Sequence, residues 1–204
     1  MGEPVPPPPP PKKSRVGLII GIVAGLLVLA VVAALLVVFV FNKDDKHAIV
    51  IPATAADMKR DKARETSLKT QLDQLEQQFQ KQLKGGVYVK SGIYDQADTK
   101  RGPKGEMLFL GGKVKKSENN PTNFVDKIKK QGKDNGYTVT TVSPGKGGGK
   151  AVCVSQAKGT QKAAICGWAT QDTVGELVPN VSGYDPKSLS KIMRDMRPDV
   201  EKTQ

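Results

Sequence analysis

The residues of this chain whose types could do chemistry are two cysteines, four carboxylates, one histidine and a glycine-rich run. Cys153 and Cys166 are the only cysteines, with twelve residues between them. They fall in two adjacent β-prone runs, KAVCVSQ at 150–156 and AAICGWATQ at 163–171, separated by a polar loop. A hairpin sets such residues opposite one another, so the spacing predicts a cross-hairpin disulfide. Redox chemistry would need a nearby base or a Cys-x-x-Cys pair, and neither is present. A bridge across a loop of this length contributes on the order of 3 kcal/mol by restricting the unfolded chain. Trp168, beside Cys166, is expected to pack against it.

Other chemistries find less. The one histidine, His47, lies far in sequence from both cysteines, so neither a zinc site nor a histidine-activated nucleophile is expected, and no metal, cofactor or catalytic residue is assigned. Asp95, Asp98, Asp172 and Glu176 would make a carboxylate-dependent hydrolase if the fold drew them together, which spacing alone does not show. The run from Gly145 to Lys150 fails the phosphate-loop pattern twice, with Pro144 where glycine is needed and Ala151 where Ser or Thr is needed, and reads as a hairpin turn.

These residues are carried by a β-rich segment, taken as a domain over 87–204. Strands are predicted at 87–95, 106–112, 136–144, 150–156, 163–171 and 173–179. One helix follows Asn120-Pro121 and carries Phe124, Val125 and Ile128; another follows Asp185-Pro186, with Leu189, Ile192, Met193 and Met196 on one face. Short turns between consecutive strands favour antiparallel pairing. The expected class is α+β, an antiparallel sheet with two helices on one face.

Before the domain, 57–84 has no glycine or proline before Gly85-Gly86 stops it, and reads as helix. Leu68, Leu72, Leu75 and Phe79 form a narrow apolar stripe, expected to make a stalk or short coiled coil, or else to pack on the chain's own domain. Residues 42–56 are a linker.

Val16 to Phe41 is 26 residues without a charged side chain. As a helix it spans about 39 Å, enough for a hydrocarbon core of roughly 30 Å. It exceeds a signal-peptide core and lacks a small-residue cleavage site, so an uncleaved transmembrane helix is expected. Lys12, Lys13 and Arg15 precede it, whereas 43–46 are charge-balanced, which puts the N-terminus in the cytoplasm. Gly17, Gly21 and Gly25 share one face, where a second helix could approach closely, although glycine there needs no partner. The tail 1–15, with prolines from Pro6 to Pro11, is a disordered cytoplasmic spacer.

The first 41 residues hold three cations against one anion, so +10 of the net +12 lies beyond them. Lysine dominates, which suits diffuse attraction to anionic lipid or envelope polymer, or plain solubility, better than shaped recognition of one phosphate. No nucleic-acid partner is expected.

Cys166-Gly-Trp168 followed by Asp172-Thr-Val-Gly175, with the apolar anchor and a terminal amphipathic helix, resembles a group of uncharacterised actinobacterial membrane-anchored proteins and lipoproteins. The likeness covers roughly the last 120 residues and implies an envelope location and a disulfide hairpin. No activity is assigned to that group. The resulting expectation is a non-enzymatic envelope protein whose exported domain is an interaction or accessory module, with a second copy, an envelope protein or an anionic polymer as partner.

Overall fold

The computed structural model describes residues 47–83, 86–116, 120–158 and 161–203. The apolar run 16–41 with Gly17, Gly21 and Gly25, and the tail 1–15, lie outside the described residues. Among the described residues no helix is long and apolar enough to cross a membrane.

The fold is α+β, with a large antiparallel sheet and four helices among the described residues. The strands are β1 (His47–Ile49), β2 (Thr54–Ala55), β3 (Met58–Arg60), β4 (Gly86–Gln96), β5 (Gly105–Val114), β6 (Thr138–Val142), β7 (Lys150–Lys158), β8 (Gln161–Ala169), β9 (Thr173–Pro179) and β10 (Glu201–Thr203). The helices are α1 (Lys62–Ser67), α2 (Lys69–Gln82), α3 (Pro121–Asp134) and α4 (Pro186–Val200). Eight strands run β2-β3-β4-β5-β9-β8-β7-β6, and β1 pairs with β10 in a separate ribbon.

Local chemistry sets the helix starts. Asn120 accepts hydrogen bonds from the backbone N–H groups of Thr122 and Asn123, ahead of Pro121. Asp185 and Ser188 form a reciprocal capping box ahead of α4.

The inner strands of the large sheet are apolar on both faces. On β7, Ala151 and Cys153 point into one core and Val152 and Val154 into the other; β5 alternates likewise, with Met107 and Phe109 against Leu108 and Leu110. A sheet with two apolar faces needs cover on both. Helix α4 and β1 cover the first through Leu189, Ile192, Met193, Met196 and Ile49; α2 and α3 cover the second through Phe79, Phe124, Val125 and Ile128. The two helices expected on one face therefore lie on opposite faces, with α2 beside α3.

The segment expected as a free stalk is packed on the domain. Leu72 and Phe79 are buried, Leu68 and Leu75 partly so, and the Glu76 carboxylate accepts from Ser91 N at 2.8 Å and Ser91 Oγ at 2.6 Å on β4. The second apolar face of the sheet is the partner that the stripe required. Nor is 47–56 a linker: β1 joins β10, and 54–60 is a hairpin whose tip residues Ala56 and Asp57 hold φ of 50° and 61°. Such values are unusual for alanine. Tertiary contacts hold the tip, since Ala56 N donates to Asp199 Oδ2 at 2.8 Å and Ala56 O accepts from Arg101 Nη1. The described residues 47–60 therefore belong to the domain, ahead of the position expected for its start.

Candidate functional site

Cys153 and Cys166 stand directly opposite one another on β7 and β8 and form a disulfide, fully buried beneath α4. Trp168, two residues on, shares that core and stacks on Phe109, the ring centroids 5.8 Å apart. Gly175 lies opposite Trp168 on β9, and a Cβ there would fall 2.3 Å from the indole. The Trp168 and Gly175 pattern noted in the sequence is thus a packing requirement.

Above Trp168 lies Arg197, buried near the end of α4, with its guanidinium carbon 5.6 Å from the ring centroid. Its Nε donates to Glu201 Oε2, and its two terminal nitrogens donate to the carbonyls of Pro144, Gly148 and Gly147 at 2.8, 2.7 and 2.9 Å. The glycine-rich run is therefore a hairpin turn wrapped around an arginine. A Cβ on Gly147 would fall 2.6 Å from that guanidinium, and Gly148 and Gly149 take φ of 66° and 80°. Three of the loop's carbonyls are thus turned inward onto a cation.

The polar chain continues from Arg197 through Glu201 to Thr173 Oγ1, on to Thr170 Oγ1 at 2.8 Å, and from there to Asp172 Oδ1 at 3.0 Å. It ends at His47, whose backbone N donates to Asp172 Oδ2 at 2.9 Å and whose Nδ1 lies 3.0 Å from Asp172 Oδ1. Burial pushes the Asp172 carboxyl up, but the hydrogen bonds from His47 and Thr170 outweigh it and hold the group below its ordinary value. An ionised carboxylate only accepts, so Nδ1 carries the proton. The links of this chain all lie within the fold, which makes it a fastening between β1, the β8–β9 turn, α4 and the glycine loop.

No family model, curated protein or solved structure matches the chain. What this architecture can do is therefore read from its own residues.

The four carboxylates weighed for hydrolysis do not converge. Asp95 ends β4 opposite Lys59, and Asp98 follows it in an exposed loop. Asp172 lies at the opposite end of the sheet, separated by the seven residues of β9, roughly 20 Å of strand. Glu176 sits mid-strand under α2 and α3, on the face away from the disulfide. Among the described residues no three metal-ligating side chains cluster.

Glu176 is the least conventional of them. It is 2% exposed and neither carboxylate oxygen has a hydrogen-bond partner among the described residues. Burial pushes it up to about 8, which favours the neutral acid near neutral pH. It borders an apolar cavity of about 20 Å³, walled by Phe79, Phe124, Ile128 and Val152. That space suffices for one water, and a neutral carboxyl can donate to it. The larger concavity is an open trough of about 430 Å³ between the edge strand β6 and α4, with Asp185, Lys187 and Arg194 on its rim.

Sequence reasoning missed Arg197 and the His47–Asp172 pair. The first had a signal, an i, i+4 spacing to Glu201 at a helix end. The second joins residues 125 apart and had none.

Proposed function

We propose that this chain is a non-enzymatic, single-pass membrane protein whose exported, disulfide-bridged α+β domain works as an interaction module held close to the outer face of the membrane. The observation that carries this reading is the shortness of the joint. The described fold already includes His47, and only five residues separate it from Phe41, the end of the 26-residue apolar run. Six peptide units reach at most about 20 Å, so a spanning helix at 16–41 keeps the domain on the membrane surface.

The buried Cys153–Cys166 bridge supports an oxidising compartment for the domain, and the cations at 12–15 support a cytoplasmic tail. The resemblance to actinobacterial anchored envelope proteins agrees with that placement. With the Leu72 and Phe79 stripe buried in the chain's own fold, self-association rests on Gly17, Gly21 and Gly25 rather than on a coiled coil. A second copy or a separate envelope protein remains the proposed partner class.

Alkaline extraction of native membranes, combined with protease treatment of intact cells stripped of their wall, tests the reading. The expected result is a protein that stays in the membrane pellet and whose domain is reached only from outside. Release by alkali, or digestion only after lysis, overturns it. Crosslinking in the same membranes, with and without Gly21→Leu, then separates a second copy from a foreign partner.

A further inference from the structure

We infer that the end of the domain from which the tether leaves is a docking face for anionic phospholipid headgroups. The inference rests on the reading of 16–41 as a membrane anchor and adds to it an orientation, a partner class and the side chains involved.

The antiparallel register defines that end. His47 opens β1 and lies opposite Thr203 on β10, while its clamp Asp172 occupies the β8–β9 turn. Thr173 is opposite Lys113 at the close of β5, and Lys150 at the start of β7 is opposite Ala169 at the close of β8. The close of α2, the close of β5, the glycine loop before β7 and the β10 segment are thus gathered around the residue where the tether enters.

This end is cationic. Lys81 in the last turn of α2, Lys115 and Lys116 after β5, Lys146 in the glycine loop, Lys150 and Lys202 are all exposed except Lys116, which is half-buried. The carboxylates near it are turned into the fold. Asp172 accepts from His47, and Glu201 from Thr173 and Arg197. Their charges are spent on internal partners, whereas the lysines, Lys116 apart, are exposed. At the far end of the sheet Asp95 and Asp98 are exposed among Lys100, Arg101 and Lys104, and Asp195 pairs with Arg101 at 2.6 Å. The exposed side chains named at the first end are all lysines, whereas those at the far end carry both signs.

The type of cation indicates the partner. Lysine is a hydrated point charge that needs no fixed geometry, and the glycine loop turns its carbonyls inward onto Arg197. Such a face attracts a dense sheet of negative headgroups rather than one shaped anion, and its pull fades within a Debye length of the bilayer. The tether of 42–46 keeps the lysines inside that range, because it makes the second contact intramolecular. Anchor and lysine face together hold the domain end-on, with the β6–α4 trough left to the side and open.

The test uses the full chain in nanodiscs of phosphatidylcholine alone or mixed with phosphatidylglycerol, with a gadolinium-chelating lipid at the surface. Paramagnetic relaxation of backbone amides reports which end of the domain meets the headgroups. The expected result is faster relaxation at 113–116, 145–150 and 201–203 in the anionic discs, reversed by high salt. Lys115→Gln, Lys116→Gln, Lys146→Gln and Lys150→Gln combined should reduce the docked population at least about tenfold with core amide shifts unchanged. Equal relaxation in both lipids, or relaxation centred on 95–106, overturns the inference. So does binding of added polyphosphate to the same amides with no effect of phosphatidylglycerol, which assigns the face to an anionic polymer. Failure of the chain to co-elute with discs is a separate result that instead removes the anchor.

Discussion

His47 and Asp172 lie 125 residues apart, yet both oxygens of the carboxylate are engaged by this one residue, through its backbone N at 2.9 Å and its ring Nδ1 at 3.0 Å. The contact fastens His47, at the start of β1, to the turn between the neighbouring strands β8 and β9. Everything that enters the domain from its N-terminal side passes this clamp.

Asp172→Asn should cost roughly 1–3 kcal/mol at neutral pH, because it weakens both contacts and leaves buried donors poorly matched. The pH dependence has a defined sign. Asp172 is held below its ordinary 3.8, so its contribution is present above that value and lost as pH falls through the lowered one. Denaturant unfolding of wild type and variant should therefore differ at pH 7 and converge in strong acid; a gap that persists there excludes the ionic origin.

Arg197→Met should cost about 3–5 kcal/mol, since it strands Glu201 as a buried charge. It also releases the carbonyls of Pro144, Gly147 and Gly148, so amide exchange over 143–149 should quicken. Arg197→Lys should rescue little, having no fork for three carbonyls. Pairing Arg197→Met with Glu201→Leu should recover much of the loss, measured by urea midpoint.

Glu176 carries the opposite pH signature. Its value is raised from 4.5 to about 8, so the folded protein holds a proton that the unfolded chain gives up. Wild-type stability should fall as pH rises between those values and level off above them. Glu176→Gln removes the slope, matching wild type near pH 4 and exceeding it by a few kcal/mol, in order of magnitude, near pH 8. Parallel stability curves for the two proteins would show that the carboxyl is not desolvated in solution.

Replacing both Cys153 and Cys166 by Ala should destabilise the domain by about 3 kcal/mol without changing its strand pairing. Thermal unfolding with and without reductant checks this: the wild type should lose a comparable amount on reduction, and the variant nothing.

Much of the architecture was legible because it is local. The strands β4, β5, β7, β8 and β9 are carried by β-branched and aromatic runs between turns, and α3 and α4 are announced by Asn120-Pro121 and Asp185-Pro186. Periodicity named the buried side of α2 correctly but not what covers it. Leu72 and Phe79 could meet another helix or a sheet, and only the apolar second faces of β5, β7 and β9 decide between them. The hairpin at 54–60 was illegible for a different reason. Ala56 and Asp57 adopt left-handed backbone because Asp199 and Arg101, more than forty residues away, hold their amides there. The disulfide was readable from hairpin spacing, whereas the four dispersed acids show that residue type without register says nothing about convergence.

The β1–β10 ribbon has a mechanical meaning. Any pull transmitted along residues 42–46 is borne first by His47 and its Asp172 clamp, then by the pairs His47–Thr203, Ala48–Lys202 and Ile49–Glu201, before the eight-stranded sheet takes load. Three pairs make a weak fastening beside such a sheet. The ribbon is thus placed to yield first, as a fuse whose opening frees Glu201 from its strand while the disulfide-bridged core stays shut.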